Sequence, residues 1–303
     1  MVDRGVIAKV VNGQIVKHLS FRFFVTVFVT FGDKTHLCGG VIYDPSHVLT
    51  AGHCLSGGVD RVVVRAFDNQ NIFDKFTHDD YDALAHATHP LYDDDLLHND
   101  YGIIRLKRNF TFGYDQVVFA SSNKLWRENG ADDAFTAVGH GLTESGGASE
   151  KLRAAKLARV ASEKCPYHAV VLGYDYCAES FVECADGECA DTCQGDSGGP
   201  LFQTEENAAG KTYASQIPSG GVIVFGLTSR GGTCGSNKTP GIYSPVHLAL
   251  DWLQRFAETK IARPTVAVDA QKKEDKEYNT ALNYFLAVCF AILVCVSLVR
   301  LLL

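Results

Sequence analysis

The chain has 303 residues, 46% of them apolar, so it can bury a core and does not read as a disordered segment. Asp and Glu outnumber Lys and Arg by 35 to 28, a net charge of −7 that argues against a general nucleic-acid binder. The length allows one large domain or two small ones.

The first residues, MVDRGVIAKVVNG, hold no charged segment followed by a long apolar core. The apolar stretch after them, residues 19–31 (LSFRFFVTVFVTF), alternates. Phe23, Val25, Val27, Val29 and Phe31 share one face, and Arg22, Thr26 and Thr30 the other, which predicts a strand. No small-residue cleavage site follows it, so no export signal is read here, as expected of a mature or truncated form or a misassigned start. Further on, HVLTAGHCL puts His53 beside Cys54, where an apolar segment ends, and NDYGIIRL puts Asp100 where one begins. Taken singly, the first reads as a structural histidine and the second as a turn residue. Many short alternating segments of this kind predict an all-β body.

The stretch DTCQGDSGGP, residues 191–200, crowds two aspartates, three glycines and a cysteine around Ser197. Glycine gives backbone conformations that other residues resist and allows close approach, so the run reads as a turn, either an ordinary surface loop or one built around the serine. A serine hydroxyl becomes a useful nucleophile only with a base and a group that orients the base.

Of the ten cysteines, Cys38, Cys54, Cys165, Cys177, Cys184, Cys189, Cys193 and Cys234 lie in the polar body, and Cys289 and Cys295 in an apolar tail. An even number in the body fits an oxidised, extracytoplasmic domain. The competing reading, a zinc site from Cys184, Cys189 and Cys193, lacks a paired C-x-x-C, and no metal is expected. Two sequons, at Asn109 and Asn237, fit a secretory route and a glycoprotein.

Residues 281–299 (ALNYFLAVCFAILVCVSLV) carry no charge and precede Arg300 and three leucines. As a helix they reach about 28 Å, close to the thickness of a bilayer core. A transmembrane helix over 281–303 is therefore predicted. The rival is a removable lipid-anchor signal behind the spacer QKKEDKEYN, a reading weakened by the long tail, by Arg300 and by the lack of a small-residue trio upstream. Either reading attaches the protein to a membrane, with residues 258–280 as a stalk.

Three stretches in order, CGGVIYDPSHVLTAGHC, HPLYDDDLLHNDYGIIRL and DTCQGDSGGP, resemble the trypsin/chymotrypsin family of serine proteases, and the resemblance runs over about residues 10–257 to PGIYSPVHLALDWLQRF. It implies two six-stranded antiparallel β-barrels, a C-terminal helix and a cleft between the barrels. The roles it implies are taken over from that family's known mechanism: Ser197 as nucleophile, His53 as general base and then acid, and Asp100 as the group orienting His53. The N–H groups of Gly195 and Ser197 would form the oxyanion hole, where one donor is worth about 3–4 kcal/mol.

Asp191 matches the base of a pocket for Arg or Lys, with Ser229, Gly231 and Gly241 as its other substrate-contacting residues. Residues 1–9 would be a short propeptide, and cutting after Lys9 would free Val10 to pair with Asp196; because Lys9 itself suits the pocket, self-activation is expected. Implied disulfides are Cys38–Cys54, Cys165–Cys177 and Cys193–Cys234, leaving Cys184 and Cys189 for a small extra loop. Phe135 and Gln203 stand where relatives carry a further pair.

The sequence departs from the family at Arg230, which replaces a usual Trp. It would either place a cation beside the upstream substrate residues or point to solvent. His140 stands where Trp is common, and a second catalytic role is not expected of it. The acidic run Asp93, Asp94, Asp95, near Asp79 and Asp80, reads as a solvated loop or as an exosite for basic partners. The resemblance implies no cofactor. Its expected partners are protein or peptide substrates with Arg or Lys at the cut bond, protein protease inhibitors and a membrane. The alternative function is a catalytically silent homologue serving as a binding or regulatory module.

Overall fold

The computed structural model describes residues 12–17, 20–66, 72–73, 79–143, 147–161, 165, 175–185 and 188–259. The alternating segment begins its strand later than the sequence pattern predicts. Phe21 sits at φ +58°, Phe24 N donates to Phe21 O at 2.9 Å across that turn, and the strand runs Phe24–Phe31. Val25, Val27 and Val29 are buried inside the first barrel as the period of two requires, while Phe23 packs into the second core.

A short β1 (Gln14–Ile15) precedes this strand, β2. After it come β3 (Lys34–Asp44), β4 (His47–Thr50), β5 (Arg61–Ala66), β6 (Asp79–Thr88) and β7 (Gly102–Leu106). They close in the order β2-β3-β4-β7-β6-β5. The second half holds β8 (Val117–Phe119), helix α1 (Asn123–Arg127), β9 (Ala134–Gly139), β10 (Arg153–Arg159), β11 (Tyr176–Ser180), β12 (Pro200–Thr204), β13 (Val222–Arg230) and β14 (Gly241–Pro245). Antiparallel pairing carries the second ring through β9-β10-β11-β14-β13-β12 and back to β9, with β1 added to β10 and β8 added in parallel to β13. The result is two six-stranded antiparallel barrels. A helix, α2 (Leu250–Glu258), follows; it buries Leu253, and its last turn is held by Arg105, whose Nη2 donates to Phe256 O at 2.9 Å and Ala257 O at 3.1 Å.

The barrels share apolar surface. Phe23 of the first lies edge-on to Phe202 of the second at 5.1 Å. Phe135 packs among Trp126 and Phe225 at 4.8 and 5.2 Å, so an aromatic cluster stands where the family resemblance implied one half of a further crosslink. Its counterpart Gln203 is fully buried and donates to Asn129 Oδ1 at 3.1 Å, while the Tyr213 hydroxyl lies 2.7 Å from Gln203 Oε1. Gln203→Leu would remove three bonds of this buried network and leave the Tyr213 hydroxyl and Asn129 Oδ1 bonded only to each other, at 2.8 Å. We expect it to cost about 1–3 kcal/mol, read as a lowered midpoint of denaturant unfolding.

Cysteine pairs join Cys38 to Cys54, Cys165 to Cys177, Cys184 to Cys189 and Cys193 to Cys234. Asn109 and Asn237 are exposed. Among the described residues no helix is long and apolar enough to cross a membrane. The segment 281–303, the stalk beyond Thr259, Lys9 and Val10 all lie outside the described residues.

Candidate active site

His53 sits in the turn that ends β4, and Asp100 two residues before β7, so the β4–β7 pairing brings the two ends together. Asp100 is fully buried. Its Oδ1 accepts the His53 backbone N–H at 2.8 Å, and its Oδ2 lies 2.8 Å from His53 Nδ1 and 2.6 Å from the Ser229 hydroxyl that donates to it. Bonding to a carboxylate puts the imidazole proton on Nδ1 and leaves Nε2 with its lone pair. The His53 side chain is 25% exposed, so that lone pair is within reach of a substrate. Space is tight at Gly52, where a Cβ would come within 3.0 Å of Tyr101 O and 3.2 Å of Asp100 Oδ1.

The Ser197 loop comes from the second barrel and is seated on the first. Gly39 N donates to Ser197 O at 2.8 Å, and the Cys54 sulfur lies 3.7 Å from the same oxygen. Gly198, at φ +79°, passes so close to Thr50 that a Cβ would fall 2.2 Å from its Oγ1. The partly exposed Ser197 is thus held against the residues on either side of His53. Gly195, at φ +96°, continues the turn. Among the described residues neither the Gly195 nor the Ser197 amide donates to another group, whereas the amides of Asp196, Gly198 and Gly199 are all used. Two free amides on alternate residues of a tight turn offer a pair of donors to an anion.

Asp196 points the other way, into the protein. It is fully buried, accepting from Gly141 N at 2.7 Å and Cys193 N at 2.8 Å, and a Cβ at Gly139 or Gly141 would collide with it. Burial pushes its carboxyl up to about 7, against the pull of those two amides. No cation faces it among the described residues.

Asp191 is buried. Its side chain accepts from Thr192 N at 2.8 Å and Gly235 N at 3.1 Å, and burial raises its carboxyl to about 6. Gly231 and Gly241 face each other over it, a Gly231 Cβ falling 3.7 Å from Gly241 Cα and a Gly241 Cβ 3.4 Å from Asp191 Oδ1. The Cys193–Cys234 crosslink ties the Ser197 loop to the segment between β13 and β14.

Residues 10–253 match the family described as Trypsin. The chain belongs to the trypsin family of serine proteases. It is 31% identical to Trypsin beta of Drosophila erecta over 224 residues, which cover 72% of this chain and 78% of that one. Identity is also 31% to CLIP domain-containing serine protease B4 of Anopheles gambiae, over 72% of this chain and 61% of that protein. Ovochymase of Halocynthia roretzi is 29% identical over 86% of this chain, which spans 16% of its length.

Within this trypsin-family domain one expectation needs correction. Arg230 neither presents a cation to the cleft nor points to solvent. Its guanidinium pairs with the Asp175 carboxylate and donates to Leu97 O at 3.3 Å, the two side chains being 18% and 1% exposed. Burial raises the Asp175 carboxyl, and Arg230 partly offsets that. The Ser229 hydroxyl is taken by Asp100 Oδ2, so any contact of this residue with substrate would run through its backbone.

The acidic run is partly used within its own loop. Asp93 Oδ1 accepts from the amides of Asp95 and Leu96, Asp94 accepts from Tyr92, and Asp80 is held by Arg65 at 2.7 Å. His140 is buried, with Nδ1 2.9 Å from Ser149 O. Sequence reasoning missed Asp175, which sits in no motif. A clue existed only in Arg230: a cation entering a buried strand calls for a buried anion.

Proposed function

We propose that this chain is a serine endopeptidase that cuts after Arg or Lys through His53, Asp100 and Ser197. The observation that carries the reading is the buried Asp100 carboxylate fixing the His53 tautomer beside the seated Ser197 loop. In the reaction so read, His53 Nε2 takes the Ser197 hydroxyl proton as Oγ attacks the scissile carbonyl, and the imidazolium formed is stabilised by Asp100. The Gly195 and Ser197 amides receive the oxyanion. His53 then gives its proton to the leaving amine, and water, activated the same way, releases the acyl group from Ser197. A substrate Arg or Lys would supply the cation that the buried Asp191 carboxylate lacks among the described residues.

The test is direct. The chain through residue 260, oxidised and cut after Lys9, should hydrolyse Arg and Lys amides, and its Ser197→Ala form should not.

Activation belongs to the same reading. Cutting after Lys9 would free the Val10 α-amino group, and Asp196, a carboxylate raised to about 7 by burial, is suited to receive it. Because Lys9 fits the Asp191 slot, the protein is expected to activate itself. Lys9→Gln should abolish spontaneous appearance of activity during storage of the uncut chain, followed with an Arg ester. An unchanged rate would show that the cut depends on another residue.

The disulfide-bearing domain is read as extracytoplasmic, with residues 281–303 as its membrane attachment and protein inhibitors as further partners of the cleft.

A further inference from the structure

One buried ion pair takes no part in the steps above. Strand β13 pairs regularly as far as Thr228, opposite Tyr243, and then Arg230 lies opposite Ile242, so Ser229 is the extra residue of a bulge. A bulge re-aims the side chains around it. Here two consecutive residues of the second barrel reach the same turn of the first, Ser229 donating to Asp100 Oδ2 at 2.6 Å and Arg230 Nη1 to Leu97 O at 3.3 Å.

That turn is strained. Leu97 and Asn99 have φ of +53° and +51°, conformations that side chains other than glycine rarely adopt. Such conformations persist where their surroundings hold them. Local bonds help: Tyr101 N donates to Asn99 O at 2.7 Å, and Asn99 Nδ2 to Leu91 O at 2.9 Å. Arg230 adds a hold from the other barrel, and its own aim is fixed by Asp175, which is 1% exposed. A buried carboxylate with a fork of guanidinium N–H groups on it leaves the arginine little freedom to swing.

We infer that Arg230, held by Asp175, is a positioning residue that fixes the Leu97–Asn99 turn so that Asp100 meets His53 in the productive geometry. It rests on the reading of His53, Asp100 and Ser197 as the reacting set. Because the pair is internally neutralised, it governs the rate of the bond-making step and not the capture of substrate.

The experiment uses the full chain, oxidised and cut after Lys9, with a Lys or Arg amide as substrate. It compares the parent, Arg230→Gln and Arg230→Gln/Asp175→Asn, each with Asp100 and with Asp100→Asn. With Asp100 present, Arg230→Gln should lower kcat about 10–100-fold and leave KM within about threefold. With Asp100→Asn the same change should alter kcat less than about threefold, since the group it positions is gone. The doubly substituted form, which leaves no unpaired buried charge, should recover the melting temperature of the parent but not its kcat. It decides the matter if Arg230→Gln alone does not fold.

An unchanged kcat in the folded variants would overturn the proposal. So would a rise in KM without a fall in kcat, or an equal loss in the Asp100→Asn background. The underlying reading is judged separately: Asp100→Asn alone should lower kcat about 10⁴-fold. If it does so while the Arg230 variants match the parent, only the positioning role fails. If Asp100→Asn leaves kcat intact, both fail.

Discussion

Ser197→Ala is expected to lower kcat on an Arg or Lys amide by roughly a million-fold, the scale seen when a triad nucleophile is removed. The fall should stop short of the uncatalysed rate, with about 10³–10⁴-fold acceleration left, because the Gly195 and Ser197 amides and the Asp191 slot do not depend on the hydroxyl. Adding His53→Ala should change little further, since a base without a nucleophile has nothing to activate. Stability should barely move. The serine is partly exposed, and the bonds that seat its loop run through its backbone oxygen and through Gly198, which alanine leaves in place. This separates the two functional readings. A processed, oxidised sample no faster than its alanine variant would be a binding or regulatory body on a protease scaffold, and the intact His53–Asp100 bond would then be a structural feature.

The sequence made some of this legible and hid the rest for physical reasons. Strand β2 shows itself in its valines because a barrel wall has one dry face, and a period of two follows. Its true start does not show, because the turn at Phe21 uses a left-handed residue that is not glycine. His53, Asp100 and Ser197 carry no individual signal, and only the motifs around them do. Those motifs record local necessities: Gly198 has no room for a side chain beside Thr50, and Gly139 and Gly141 none beside Asp196. The partner of Arg230 was out of reach of any such reasoning. Asp175 is 55 residues away in the chain, and the bulge at Ser229 that aims Arg230 toward it depends on pairing with β14. The exchange of a crosslink for Phe135 and Gln203 was visible as a double absence, but the buried network with Asn129 and Tyr213 emerges only from packing.

Asp191→Asn should separate binding from folding. A substrate Lys or Arg entering the slot would leave its cation buried without a partner, a loss of about 3–5 kcal/mol that lowers kcat/KM on basic substrates by roughly 10²–10⁴-fold. Cleavage after an uncharged residue of similar length should change far less, because Asp100, His53 and Ser197 are untouched. The fold should gain. The Asp191 carboxyl is raised to about 6 in the folded protein by burial, above its unfolded value, so the folded state binds the proton more tightly. Stability associated with the protonated form is present at low pH and is lost as pH rises through about 6. An amide removes that loss, so the variant should melt at or above the parent's temperature at pH 8 and differ little from it at pH 4. The same titration predicts a fall in the parent's preference as pH drops below about 6, read as the ratio of kcat/KM for a basic to a neutral substrate. The ratio removes any pH dependence that the two substrates share. In Asp191→Asn the ratio should be flat with pH, and a parent-like slope there would move the discrimination to another group in the cleft.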